Sequence, residues 1–354
     1  MRQFREYKNV QTEPQRIHLL RLCPDVVRGD GNYSNRDNDR RPNMTDTTPF
    51  PIYRVNLEGA DDVETLGTKP KFWWFNVQRT RLLFKAEDRG TGEDWAEKIS
   101  CHLCELLGLP HVHYELAHEY EHGEPKRPGV ICENLAKSPL SLLLGNQLLF
   151  ELDESYPVDE RAKYKVRMHT VDAIVNVLSE LEPPRDLVAM DDIHSALDVF
   201  IGYIMLDCWI ANQDRHHGNW GAVRDENGRL FLSPTFDHGA ALARLLTDNE
   251  RQERLSSRDR NRSMSVYVTK AKSACYADKT SDKTLGTLEC FEAFACRSAK
   301  AAKAWTKRLD SIQDRDVREI VDMVPGTRIS NTGKQFTIEL LSENKKRILQ
   351  MDIQ

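Results

Sequence analysis

Two aspartates and an asparagine stand at spacings that chemistry can use. In "WIANQDRHHGNWG", Trp209 to Gly221, Asp214 and Asn219 lie five positions apart, and "TFDHG" then places Asp237 directly after an apolar run. A loop carboxylate can orient or deprotonate an attacking hydroxyl. An asparagine oxygen and a second carboxylate further on can hold Mg²⁺ against phosphates. The order D-x-x-x-x-N, strand, Asp suits phosphoryl transfer. On this reading Asp214 is the base or orienting group, and Asn219 and Asp237 are the metal ligands. Taken one at a time, Asp and Asn more often cap turns; the ordered set is what points to chemistry.

Such a site needs cations for the phosphates of ATP. "LGTKPKFWW" offers Gly67 in a turn and Lys71 entering a strand, and "RLLFK" ends in Lys85 after an apolar strand. Glu97, on the helix that follows, is placed to pair with Lys85 and fix its ammonium. Either lysine alone reads as a solvated strand end.

The elements that must position these groups follow from periodicity. Residues 1–48 include "RGDGNYSNRDNDRRPNMTDTT", polar and turn-rich, which cannot offset its own ordering entropy and reads as a disordered arm, with Met44 a candidate start. "PIYRVNL", "KFWWFNV" and "RLLFKAE" read as strands. In "GTGEDWAEKISCHLCELLGLP", Trp95, Ile99, Leu103 and Leu106 recur at helical spacing until Gly108 and Pro110 end the helix. "HVHYELAHEYE" and "PGVICENL" read as further strands. From Leu140 the chain turns mostly helical. In "DDIHSALDVFIGYIMLDCWIAN" a broad stripe from Ile193 to Trp209 predicts a buried helix capped by Asp191 or Asp192. Short strands "GAV" and "LFLSPTF" flank the polar loop, which therefore hangs from a rigid scaffold.

The 354 residues are enough for a two-lobed fold or two modest domains; 40% are hydrophobic and 30% charged, with a formal net charge of −5. Near-balanced charge argues against bulk attraction to nucleic acid or anionic lipid. No apolar run approaches the roughly 20 residues of a membrane span. The start lacks an apolar segment of the secretory kind. Eight scattered cysteines read as reduced thiols of a cytoplasmic chain.

"ANQDRHHGNWG" followed by "FDHG", with "GTKPK" upstream of "LLFK" and the helix "EKISCHLCELLGLP", resembles the HipA-like serine/threonine kinases, a branch of the protein-kinase-like fold. The resemblance runs from about Thr65 to Asp237 and on through "VYVTKAKSA". It implies an α+β, bilobal fold: a strand-rich N-lobe over residues 49–136 and a mainly helical C-lobe over 137–354, with ATP between them. It implies Asp214 as catalytic Asp, Asn219 and Asp237 as Mg²⁺ ligands, Lys85 as nucleotide lysine, and Gly67 and Lys71 near the phosphates. Backbone near Glu133 to Leu135 would form the hinge. His216 or His217 would brace the loop, and His216 is carried as a candidate for proton transfer. The implied acceptor is Ser or Thr of a protein, and a toxin-like role with an antitoxin-like partner follows from the longer members. This chain departs from them: only the polar arm precedes Gly67, and Glu64, Thr65 and Leu66 stand where some members carry an autophosphorylated Ser. Its metal motif is Asp-His-Gly, not Asp-Phe-Gly. The rival readings are a small-molecule or phosphoinositide-type kinase, and a non-catalytic kinase-fold binding or repressor partner.

Other signals point less firmly to function. Alternation puts His111 and His113 on one strand face, read as solvated because no Cys or carboxylate set completes a metal site. Cys101 and Cys104, spaced C-x-x-C on a helix without a second pair, read as core packing. "RQERLSSRDRNR", Arg251 to Arg262, reads evenly as a solvated helix face or a substrate-facing basic patch.

Overall fold

Alternating apolar residues build a twisted sheet first. The computed structural model describes residues 48–63, 70–87, 90–158 and 165–353. The arm expected over residues 1–48 falls outside them except for Thr48, as do Met44, Gly67 and the segment Glu64 to Leu66. Strands β1 (Ile52–Asn56), β2 (Ala60–Val63), β3 (Lys71–Phe75), β4 (Arg81–Ala86), β5 (Tyr114–Glu121) and β6 (Glu124–Glu133) form a six-stranded sheet in the order β1-β5-β6-β4-β3-β2. β1 joins β5 in parallel and the other pairs are antiparallel. On one face Val55, Phe72, Leu82, Phe84, Ala117 and Ile131 form a small apolar cluster. The period of two then sends Lys71, Trp73, Leu83 and Lys85 to the opposite face.

Helix α1 (Glu93–Leu107) packs against that sheet. Its start is held by Glu87, whose carboxylate accepts the backbone N–H groups of Gly92 and Glu93, the second at 2.8 Å. Gly92 is required there: its φ is +85°, and a Cβ would fall 1.8 Å from the Trp95 indole nitrogen. Gly108 ends the helix as expected, donating its N–H to the carbonyls of Cys104 and Glu105.

The rest is mainly helical: α2 (Gly145–Leu152), α3 (Val171–Ser179), α4 (Ala196–Trp209), α5 (Asp248–Ser256), α6 (Met264–Val268), α7 (Thr287–Ala295), α8 (Ala299–Ser311), α9 (Asp314–Asp322) and α10 (Asn331–Leu349). A second sheet, β7 (Ser141–Leu144), β8 (Gly221–Arg224) and β9 (Leu230–Leu232), lies in this part. β7 falls in a stretch that periodicity assigns to helix. α4 is its central post, touched by α3, α7, α8 and α10 and buried on every side. Each fully buried Leu, Ile or Phe on it contributes about 1.5–3 kcal/mol. Gly202 lets Trp305 and Leu109 close on the helix; a Cβ there would lie 2.6 Å from the indole. The helix begins later than the stripe predicts. Ser195, not Asp191 or Asp192, is the cap, because its hydroxyl accepts the Asp198 N–H while Asp198 reaches back to the Ser195 N–H. Ile193 therefore precedes the helix. Among the described residues no helix is long and apolar enough to cross a membrane.

Candidate active site

The strand register brings the first cations together. Lys71 lies opposite Lys85 across β3 and β4, and both line a cleft of about 450 Å³ between the large sheet and the helical part. Leu83, Tyr114, Cys132 and Leu142 give the cleft apolar walls, Glu133 and Leu135 line its back, and Asn219 and Asp237 line the opposite side. The size and mixed lining suit a nucleotide-sized ligand.

Lys85 is the centre of the polar network. Its Nζ donates to Glu97 Oε1 at 2.8 Å and to Asp237 Oδ1 at 2.7 Å, joining three elements that are far apart in sequence. Burial by itself would push the ammonium toward neutrality, but the carboxylates of Asp237 and Glu97 outweigh it and hold its pKa well above the usual lysine value. The other oxygen of Glu97 accepts the backbone N–H of His238 at 2.8 Å. Glu97 thus ties α1 both to the lysine and to the Asp237–His238 turn. Asp237 adopts φ +61°, a left-handed conformation that Asp tolerates better than most residues. His238 is wholly buried, which pushes its pKa well below the ordinary value, and its neutral ring shares a hydrogen bond with Thr235 Oγ1 at 2.9 Å.

The polar loop follows α4 directly. Arg215 makes a bidentate pair with Asp207 on α4, at 2.7 and 2.8 Å, and donates to the carbonyls of Asn219 at 2.9 Å and Phe236 at 3.3 Å. Asn212 donates a further hydrogen bond to Asp207 at 2.8 Å. One buried guanidinium therefore fixes both the loop and the approach to Asp237. Asn219 Nδ2 donates to the Asp214 carbonyl at 2.7 Å, which leaves Oδ1 as the side-chain atom it can offer a cation. His216, 4% exposed, accepts the Gly218 N–H on Nδ1 at 3.0 Å, and its Nε2 lies 3.9 Å from Asp214 Oδ1. This bracing geometry places the ring beneath the loop; neither His216 nor Asp214 lines the cleft itself. His217 meets the Tyr156 hydroxyl at 2.9 Å.

A six-stranded sheet with one helix, a cleft, and a post helix feeding a polar loop is the plan of a kinase. The chain superposes on the proinflammatory kinase CtkA of Helicobacter pylori with a TM-score of 0.63 at 18% identity, over 83% of this chain and 95% of that one. The fold is that of a kinase. A second match is the toxin–antitoxin complex of HipA, HipB and operator DNA from Shewanella oneidensis MR-1, with a TM-score of 0.50 at 13% identity, over 81% of this chain and 64% of that one. No family model matches the sequence, and no curated protein matches it.

Within this kinase-like fold the structure brings together Lys71, Lys85, Glu97, Glu133, Leu135, Asn219 and Asp237, with Asp214 and His216 on the adjoining loop. Sequence reasoning missed Arg215 and Asp207. An Asp set inside an otherwise apolar helix, eight residues before an Arg, was the available signal. Trp73 and Leu83 were recoverable from Lys85 by counting in twos. Arg251 belongs to neither expected surface: it turns inward, pairs with Asp248 at 2.9 Å and donates to the Arg244 carbonyl.

Proposed function

We propose that this chain is an ATP- and Mg²⁺-dependent kinase that transfers the γ-phosphate to a Ser or Thr hydroxyl of a protein. The observation that carries the reading is the Lys85 ammonium held between Glu97 and Asp237 at the edge of a cleft that Asn219 also lines. A nucleotide lysine fixed by a helix carboxylate, beside an acid poised for metal, is the arrangement phosphoryl transfer requires.

The donor set fits a hard cation. Asp237 offers carboxylate oxygens and is 31% exposed, and Asn219 keeps a neutral oxygen. Bound Mg²⁺ would neutralise phosphate charge there. Lys85 would then exchange the Asp237 carboxylate for a phosphate while keeping Glu97. Lys71 adds a second cation at the same face, and the turn at Gly67 is assigned to the phosphates by resemblance. Backbone of Glu133 to Leu135 would receive the base. Asp214 would orient the acceptor hydroxyl and take its proton. His216 supports that role as a positioning group, since its Nδ1 already accepts the Gly218 N–H.

A cytoplasmic location extends the proposal from the reading of the cysteines as reduced thiols, and an antitoxin-like partner extends it by likeness to the HipA complex, which co-purification from the native host tests. The decisive experiment incubates the protein with γ-labelled ATP, Mg²⁺ and a cell extract, beside Asp214→Asn. Label on Ser or Thr of a protein in the wild-type lane alone is expected. Label on a small molecule or lipid would move the acceptor class. Equal label in both lanes, or none, would sink the reading.

A further inference from the structure

A second polar cluster sits on α1, away from the cleft. Cys101 and Glu105 project from one side of the helix, one turn apart, toward His111 and His113 in the segment that leads into β5. The expected solvated strand face does not exist: β5 begins at Tyr114, and the His111 side chain is only 14% exposed. Cys101, expected to pack in the core, is 1% exposed and turns its sulfur to His113 Nδ1 at 3.5 Å. Glu105 Oε1 lies 3.3 Å from His113 Nδ1 and 3.9 Å from His111 Nε2. One ligand atom from each of the four residues falls within 4.8 Å of all the others. A tetrahedral zinc ion, with bonds of about 2.0–2.3 Å, places its ligand atoms about 3.3–3.8 Å apart. Two of the pairs, at 3.5 and 3.3 Å, already have these spacings, and the others, all within 4.8 Å, would close on the ion by about 1 Å or less.

The surrounding groups aim the donors inward. His111 donates Nδ1–H to the Leu109 carbonyl at 2.8 Å, so its lone pair is on Nε2, a buried atom that finds no hydrogen-bond partner. His113 engages Glu115 Oε1 through Nε2 at 2.8 Å, turning Nδ1 to the cluster, and Lys98 in turn holds Glu115 at 2.8 Å. His102 takes the second oxygen of Glu105 at 2.7 Å. A carboxylate or carbonyl behind each imidazole is the arrangement that fixes the tautomer of a metal-bound histidine.

The geometry points to a divalent transition-metal site of the zinc type, closed by Cys101, Glu105, His111 and His113. One thiolate and one carboxylate balance the charge of Zn²⁺, and four protein ligands leave no open position, so the ion is structural. Half-exposed Glu105 and His113 give it an entry path. It would staple α1, one turn beyond Glu97, to the segment whose Pro110 and Val112 pair with Thr235 just before Asp237. A protein that proved not to be a kinase would still carry this site.

The test uses the full chain purified without chelator, then stripped and titrated with Zn²⁺ alone. Expected are about one tight zinc per chain, its loss in Cys101→Ser and His113→Ala, and retention in Cys104→Ser, whose sulfur lies outside the cluster. Glu115→Gln should weaken zinc by on the order of 10–100-fold, as changes behind a metal-bound imidazole do. Co²⁺ in place of zinc should give a thiolate charge-transfer band that Cys101→Ser abolishes. Chelation should lower the melting temperature of the wild type and not that of His113→Ala, which keeps the readout open even where the cysteine variant folds poorly. A stripped wild type that takes up no zinc, or uptake that Cys101→Ser and His113→Ala leave unchanged, overturns the assignment.

Discussion

Replacing Lys85 by Met keeps the aliphatic stem and removes the ammonium, which strands two carboxylates unequally. Asp237 is 31% exposed and can rehydrate, whereas Glu97 is 3% exposed and cannot. Removing one partner of a buried ion pair costs about 3–5 kcal/mol. Here an upper bound follows from chemistry: Glu97 can take a proton instead of staying charged. At about pH 7.5, three units above an ordinary Glu, that costs about 4 kcal/mol at 1.36 kcal/mol per unit. Because Oε2 keeps the His238 N–H, we expect a loss of about 3 kcal/mol. The sign with pH is fixed. In the variant the folded-state pKa of Glu97 lies above its unfolded value, so the folded state binds more protons and gains stability as pH falls. The deficit should shrink to about 1 kcal/mol near pH 5.5, where protonation is nearly free. Adding Glu97→Gln removes the stranded charge and should recover about 2 kcal/mol at pH 7.5. Urea unfolding of the four nucleotide-free proteins at both pH values measures all of this. A Lys85→Met deficit that ignores pH and adds simply to that of Glu97→Gln would refute the ion-pair account.

Asp214→Asn should lower phosphotransfer by on the order of 10²-fold or more while leaving nucleotide affinity within a few-fold, since it changes proton handling and not binding; parallel calorimetric binding and turnover assays check it. Asp237→Asn should weaken Mg²⁺-dependent ATP binding together with turnover, and Asn219→Ala should raise the Mg²⁺ concentration needed for half-maximal rate; metal titrations of both distinguish ligands from turn caps. His169 donates Nδ1–H to the Ala274 carbonyl and accepts the Trp220 indole N–H, and burial depresses its pKa to about 4. Between pH 6.5 and 4 the unfolded chain binds a proton the folded chain refuses, so about 3 kcal/mol of stability is lost as pH falls through that window; denaturation curves should show that slope flattened in His169→Gln.

What the sequence disclosed was whatever depends on near neighbours. The alternation of β3 and β4, the 3.6-residue stripe of α1 and the Gly108 stop all rest on local sterics, and they appear where expected. So does the adjacency of Asp214 and Asn219, five residues apart on one loop. The α4 start failed by a few residues because a capping box at Ser195 competes with two earlier aspartates, and side-chain reach decides between them. Other features need partners far along the chain. Asp94 meets Arg328 at 2.8 Å from 234 positions away, and the parallel pairing of β1 with β5 has no local signature. The cluster at Cys101 was hidden for another reason. A helix and the segment after its turn bring together residues that separate periodicities, read one at a time, assign to a core and to solvent.

Helix α1 has one more consequence. In sequence it belongs with the strands, yet Arg244 holds Glu93 at 2.7 Å, Arg328 holds Asp94, and Arg308 donates to the Leu107 carbonyl at 2.6 Å, all three cations coming from the helical part. The Phe50 N–H likewise reaches the Met323 carbonyl at 2.7 Å. Trp95, Ile99 and Leu103 pack into the same core as α4, so the strand-rich half owns only the small cluster on its far face. That half cannot melt separately without exposing paired charges and most of its apolar contacts. Heating should therefore produce one calorimetric transition for the described fold, and the strands with α1, expressed alone, should remain unfolded. A hinge between two independently stable bodies can open widely; a helix fastened at both ends permits only small excursions, and any large regulatory motion must be sought in the loops around the cleft.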